Sequence, residues 1–442
     1  MKNLKKMISI LIATTMITLL AACGSQAEDT TGSTGTENAP AENEESAQGT
    51  ATTDEEIELV FATFKGNWAD TLEELFAGYT KEHPNVHVTV YTGESGDFFG
   101  DIQTLIATDS IPNIFNLRGD NFGREYMEYL QDISDSAAVA NVKDGYTEAF
   151  TWDGAVYGAY YNYEVHGHTW DMEALASVGI NEVPKNHTEL MAAMEALKAA
   201  DRIGVAEFGT TQLLYNHLGN APLVMGEEGP AARYEDISSG TVDPVEDKYF
   251  NEYFDYLKDC LPYLQENPIV MDQATGIAAV YTTDDYAFDF CQGTSGQYYG
   301  YETDYTDTWE VGPLCISDEE PYYVLNCQGY VVAKTGNEAV DAAALDLYNW
   351  FYTSDEVADA LTKNYSILTT SKSYELSEDV LDLYTYKACR AIENFDSKAI
   401  TYYMNGTLCN EYAAIQQRYI SGGLTKEEAL TAVGEAFRSN AG

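Results

Sequence analysis

The sequence predicts an α/β protein of two lobes built on mainly parallel sheet flanked by helices. Two observations carry that expectation. The chain has 442 residues, too many for one ordinary hydrophobic core. Between Ile57 and Asn116, short apolar runs alternate with amphipathic helical runs in the order β-α-β-α-β, with crossover lengths that suit a parallel sheet. Ligands of such sheets collect at the carboxyl ends of the strands. Here those ends feed the loops 63–68, 92–98 and 117–121.

Each element has its own signal. Ile57–Phe61 (IELVF) is an apolar run of strand length. Asp70 and Glu73 have capping-box spacing, and Leu72, Leu75, Phe76 and Tyr79 follow at helical intervals. Val86, Val88 and Val90 alternate as in a half-buried strand. Ile102, Leu105 and Ile106 mark a second helix, and Asn113–Asn116 (NIFN) a third strand. Asp153–Asp171 is aromatic, glycine-punctuated and poor in charge; it reads as the first passage between lobes, carrying side chains that face a ligand. Asn186 and Glu189 cap a further helix. Tyr330–Lys334 is a strand before a helix that turns Leu347, Trp350 and Phe351 inward, and Thr425 with Glu428 caps the closing helix.

The formal charge is −49, from 23 Lys and Arg against 72 Asp and Glu. Such a surface repels phosphate backbones and anionic headgroups, which argues against nucleic-acid binding and membrane adhesion by charge. Tyrosine outnumbers phenylalanine, 34 to 16, and its flat face plus hydroxyl suits polar-rimmed binding surfaces. Residues 1–22 combine Lys2, Lys5 and Lys6 with an apolar run over Met7–Leu20, the pattern of an export signal peptide. They end in Leu20-Ala21-Ala22-Cys23-Gly24, which resembles the lipobox of bacterial lipoproteins. That resemblance implies cleavage before Cys23, acylation of Cys23 (palmitate or a similar chain), and an extracytoplasmic protein anchored to the cell membrane without a spanning helix. Residues 23–56 then read as the acylated cysteine and a disordered acidic tether. The other cysteines are Cys260, Cys291, Cys315, Cys327, Cys389 and Cys409. Three disulfides are possible in an exported protein, and buried free thiols suit a domain of this size equally.

Several motifs resemble one family. Tyr79–Val88 (YTKEHPNVHV), Ala107–Phe115 (ATDSIPNIF), Asp153–Gly158 (DGAVYG) and Gly423–Leu430 (GLTKEEAL) are similar to segments of the extracellular solute-binding proteins, family 1, the carbohydrate-type substrate-binding lipoproteins of ABC transporters that include maltose-binding protein. The resemblance implies the periplasmic-binding-protein-like fold, two lobes joined by hinge strands. It would place lobe one at 57–160 plus 328–370 and lobe two at 161–327 plus 371–442. It also implies a monomer that captures a carbohydrate, in particular an oligosaccharide, and delivers it to permease subunits. No turnover and no cofactor are implied.

A sugar needs aromatic platforms and amide or carboxylate hydrogen bonds in a water-poor cleft. The candidates are Phe64, Asn67 and Trp68 in the first loop, and Tyr160, Tyr161 and Asn162 at the first passage. Glu94, Arg118 and Asp120 are the charged candidates. Tyr299, Tyr301 and Trp309 would stack from the second lobe, with Gln328 and Tyr365 near later passages. His166-Gly167-His168 could begin a metal site, but no Cys/His cluster accompanies it, so no metal is expected. There is no Walker A run and no G-x-S-x-G elbow. Two alternatives stay open: the same fold holding a cationic ligand such as a polyamine, and a surface lipoprotein that binds or hydrolyses glycans.

Overall fold

The first sheet forms where the sequence places its β-α-β-α-β run. In a computed structural model, β1 (Ile57–Ala62), α1 (Ala69–Glu82), β2 (Val86–Tyr91), α2 (Phe98–Ala107) and β3 (Ile114–Leu117) follow in order. The structure describes residues 56–93, 97–283, 285–290, 293–294, 308–319, 321–377, 379, 381, 383–393 and 398–440. The expected signal peptide, Cys23 and the expected tether up to residue 55 lie outside them, as do Glu94, Cys291, Tyr299 and Tyr301.

Both neighbours of β1 are parallel to it, and Ile57 pairs with Val86 and Phe61 with Ile114. Two long strands then extend the sheet, which also takes in the short strands Leu368–Thr369 and Lys398–Ile400. β4 (Gly158–His166) lies beside the later strand Tyr323–Val332, antiparallel, and that strand in turn lies antiparallel beside β3. Every residue of both long strands is buried. The chain leaves this sheet at Gly167, and β5 (His168–Asp171) opens a second one. An added Cβ at Gly167 would stand 2.1 Å from the Gly312 carbonyl oxygen, so this change of sheet needs a residue without a side chain.

The second sheet adds β6 (Ile203–Val205), β7 (Tyr286–Asp289) and β8 (Trp309–Gly312) to β5, in the order β8-β5-β7-β6. Only the β6–β7 pair in it is parallel. The sheets are therefore mixed rather than mainly parallel. The reason is that β9 (Tyr323–Val332), which lies between β3 and β4, returns to this sheet from the second one and not through a local crossover helix.

Two helical layers complete the lobes. Against the first sheet packs Glu338–Thr353, whose Leu347 and Phe351 are buried with Phe61 and Phe76. Trp350 is half-buried against Tyr79, ring centroids 5.1 Å apart. The core of the second lobe gathers Trp170, Leu197, Phe254 and Phe288 with Tyr412 and Phe437 from the C-terminal helices. The Thr425–Glu428 capping box forms, and Asn186 accepts from Glu189 N at 2.8 Å. The box expected at Asp70 does not form. A 3₁₀ turn, Gly66–Trp68, runs directly into α1 and leaves Asp70 in its first turn. The five cysteines described, Cys260, Cys315, Cys327, Cys389 and Cys409, are free and buried. Burial pushes each thiol up, Cys409 to about 12, so none is a ready thiolate.

Candidate ligand-binding site

Loop 63–68, at the carboxyl end of β1, is held rigid from three sides. Phe64 N donates to Asn116 Oδ1 at 3.1 Å. Thr63 Oγ1 lies 3.0 Å from Tyr330 Oη. The Tyr365 hydroxyl donates to Asn67 O at 2.8 Å. Trp68 is fully buried under the loop and stacks on Tyr365 at 5.9 Å. The loop thus points Phe64, Lys65 and Asn67 into a cavity of about 570 Å³.

The same cavity receives Phe98 and Phe99 from α2 and Arg118 from the end of β3. Glu164 comes from β4, and Asn326 and Gln328 from β9. The far wall is Gln212, His217, Gln273 and Tyr403. It therefore has first-sheet loops on one side, the two long strands at its floor, and second-lobe side chains opposite.

Glu164 is the centre of that floor, with a side chain only 5% exposed. Lys65 Nζ lies 3.1 Å from its Oε1, and Gln328 Nε2 2.6 Å from the same oxygen. Asn326 Nδ2 lies 3.3 Å from Oε2, and His166 Nε2 3.4 Å. These four partners surround both oxygens of the carboxylate. A buried carboxylate needs such pairing to stay charged. Tyr403 joins the network through its hydroxyl, 2.7 Å from Asn326 Oδ1. His166 also lies against His217, ring centroids 3.6 Å apart and ring planes tilted by 37°.

Arg118 stands between aromatic faces. Its guanidinium carbon is 4.7 Å from the Phe99 centroid, 5.5 Å from Phe122 and 5.7 Å from Tyr403. These contacts hold the planar group by cation–π attraction.

The candidates from sequence divide accordingly. Phe64, Asn67, Arg118 and Gln328 line the cavity. Tyr365 and Trp68 support loop 63–68 from behind. Tyr160 and Tyr161 are core residues, against Phe150 at 5.0 Å and Phe351 at 4.4 Å. Trp309 is buried in the core between the sheets. Asn162 is buried below the floor, 3.4 Å from Gln328. Asp120 does not line the cavity; its Oδ2 accepts from Tyr403 N at 3.0 Å and so fixes the segment that carries Tyr403. His168 is buried in the second lobe against Tyr256, 2.9 Å away, and does not join His166. Among the described residues, no group of three or more His, Cys, Asp or Glu is placed to hold a metal ion.

Sequence reasoning missed most of this lining, Lys65, Phe98, Phe99, Gln212, Gln273 and Asn326 as well as Glu164 and Tyr403. Alternation along a strand sets Glu164 on the same face as Asn162, and an acid inside an otherwise aromatic, buried run was the signal available. Tyr403 had none, because its place depends on the fold of the C-terminal third.

Residues 74–388 match the family model described as bacterial extracellular solute-binding protein. The chain belongs to that family. As a solute-binding protein it is extracytoplasmic by family, and among the described residues no helix is long and apolar enough to cross a membrane. Solved structures share its two-lobe fold. A chitin oligosaccharide binding protein superposes with a TM-score of 0.73 at 18% identity, covering 88% of this chain and 100% of that one. The binding protein RafE in complex with raffinose gives 0.70 at 14%, covering 87% and 100%. A Bacillus licheniformis sugar transporter in complex with stachyose gives 0.64 at 15%, covering 86% and 98%. A sequence search of curated proteins returned no match.

Two measurements follow from the site of this solute-binding protein. Lys65→Met removes the cation paired with Glu164 and should cost about 3 kcal/mol in urea denaturation, because it strands a buried charge. Adding Glu164→Gln should recover most of that loss; no recovery would mean that Lys65 acts through packing alone. Asp120 gives a pH signature. Burial pushes its carboxyl up to about 7, against the opposing pull of the Tyr403 N–H. The native state then keeps a proton that the unfolded chain releases, so stability falls as pH rises from about 4 through about 7. Asp120→Asn keeps an acceptor and tolerates the φ of 51° at this position. It should melt level with the wild type at pH 4 and several degrees above it at pH 8.

Proposed function

We propose that this protein captures a carbohydrate, in particular an oligosaccharide, in the cavity between its lobes and hands it to the permease of an ABC importer. The observation that supports this most is the lining itself. Phe64, Phe98, Phe99 and Tyr403 offer aromatic surface beside the amides of Asn67, Gln212, Gln273 and Gln328. Apolar faces next to neutral hydrogen-bonding groups match a sugar, whose ring faces are apolar and whose edges are hydroxyls. The structural neighbours named for chitin oligosaccharide, raffinose and stachyose bind ligands of this class. A polyamine fits less well. Lys65 and Arg118 line the cavity, and the Glu164 carboxylate is already met by four partners.

Capture would proceed by closure of the lobes about the two long strands, a hinge motion of the kind binding proteins use. The protein acts as a monomer, and no group need gain or lose a proton. Before that, cleavage at Ala22 and acylation of Cys23 would tether it outside the cell membrane. The acidic segment up to residue 56 would hold the folded body off the surface.

A thermal-shift panel of mono- and oligosaccharides, spermidine and amino acids tests the ligand class. A sugar at a hundred times its Kd should add ~2.7 kcal/mol and leave no new product by chromatography. A shift with spermidine alone would replace the carbohydrate reading, and a sugar product would point to hydrolysis. For the anchor, cells fed an alkyne fatty acid should label the wild type and not Cys23→Ser. Equal labelling of both would exclude Cys23 as the acylated residue.

A further inference from the structure

A second chamber adjoins the first. It measures about 810 Å³ and shares Asp97, Phe99 and Arg118 with the cavity described above. Gln103 faces it from α2, and Asn405, Thr407 and Asn410 face it from the opposite lobe. Both lobes therefore contribute to it, as they do to the first chamber.

The two chambers differ in chemistry. The first is rich in aromatic surface. The second is lined mainly by amides and hydroxyls, and its aromatic side chains are Phe99, Phe122 and Tyr215. Thr407 and Asn410 are three residues apart on the helix Gly406–Ile420, hence on one face, and both are exposed. Asn405 differs, because its side chain caps that helix by accepting from Leu408 N at 2.9 Å. Each chamber alone is of the size usual for one small ligand, about 300–1,000 Å³. Two such adjoining chambers, joined at the Arg118 guanidinium over the Phe99 ring, suit a ligand made of linked units. The charged side chains of the second chamber are Asp97, Glu125 and Arg118. Carboxylates outnumber the cation there, which disfavours an anionic ligand.

We infer that the second chamber is an additional subsite and that the ligand is a neutral oligosaccharide of at least three units. One end stacks in the first chamber, the chain passes Arg118, and the far end hydrogen-bonds to Thr407 and Asn410. This inference rests on the carbohydrate reading proposed above and adds the length and charge of the ligand.

The test is calorimetric titration of the purified protein with two-, three- and four-unit fragments of cellulose, maltose, chitin and galacturonan, together with raffinose and stachyose. In the series that binds, affinity should rise at least tenfold from two to four units. The double variant Thr407→Ala/Asn410→Ala should lose about tenfold for the four-unit ligand and stay within twofold for the two-unit one. Both substitutions are at exposed helical positions where alanine favours the helix, so an unchanged melting temperature is expected and separates lost contacts from lost fold. A plateau at two units in the wild type would overturn the second subsite, and so would equal losses at every length or no loss at any. Binding confined to galacturonan fragments would overturn the neutral assignment. Silence of the wild type toward every sugar would instead remove the carbohydrate reading on which this inference stands.

Discussion

One buried carboxylate sets the terms for the cleft. Glu164 projects from a strand whose nine residues are all buried, and an ionised carboxylate there is tolerated only with partners. Those partners come from separate parts of the chain: Lys65 from the first loop, Asn326 and Gln328 from β9, and His166 from its own strand. Satisfying one charge therefore fixes the loop after β1 against both long strands. Tyr403 is added through Asn326, and Asp120 holds the backbone at Tyr403. The floor of the site and its alignment to the second lobe follow from the same network. A buried ion pair adds little net stability. Its effect here is positional, since another register of β4 against β9 would take Asn326 and Gln328 away from the carboxylate.

The tyrosine excess finds its main use away from the site. Tyr161, Tyr330, Tyr348 and Tyr352 are all buried together with Phe351 beneath the first sheet. Tyr348 donates to Tyr330 O at 2.9 Å and Tyr352 to Ala159 O at 2.5 Å. Tyr348 and Tyr352 fill the core as phenylalanine would, while their hydroxyls reach backbone carbonyls of the long strands. This explains why Tyr160 and Tyr161 read as ligand-facing in the sequence and lie in the core instead. The composition announces aromatic surface with a polar tip, and a folded interior uses that as readily as a cleft does. The aromatic faces that do meet the cavity are Phe64, Phe98 and Phe99 with Tyr403.

Legibility followed the range of the interaction. The helices and strands of the first lobe were readable because their apolar spacing is local, and the caps at Asn186 and Thr425 form as their motifs predict. Asp70 failed as a cap because the 3₁₀ turn before it, locked by Trp68 on Tyr365, already supplies the helix start. In the site, Phe64, Asn67 and Arg118 were within reach because they sit on loops that the β-α-β order places at strand ends. Glu164 was harder: its role depends on which residue of β9 lies opposite. The pairing of Asn162 with Gln328 and Glu164 with Asn326 settles that, across a bulge after Gln328.

By itself, the sequence determined the class of the molecule: an acidic body, a β-α-β-α-β start and the motifs of a solute-binding family. Each of these is carried by neighbours in the chain or by composition. The tertiary structure alone decided the mixed sheets, the change of sheet at Gly167, and the meeting of Lys65, Glu164, Gln328 and Tyr403 at one cavity. Those depend on strand register and on contacts spanning up to hundreds of residues. Hydrophobic spacing says which face of a strand is buried, and leaves open which distant side chain will share that burial with it.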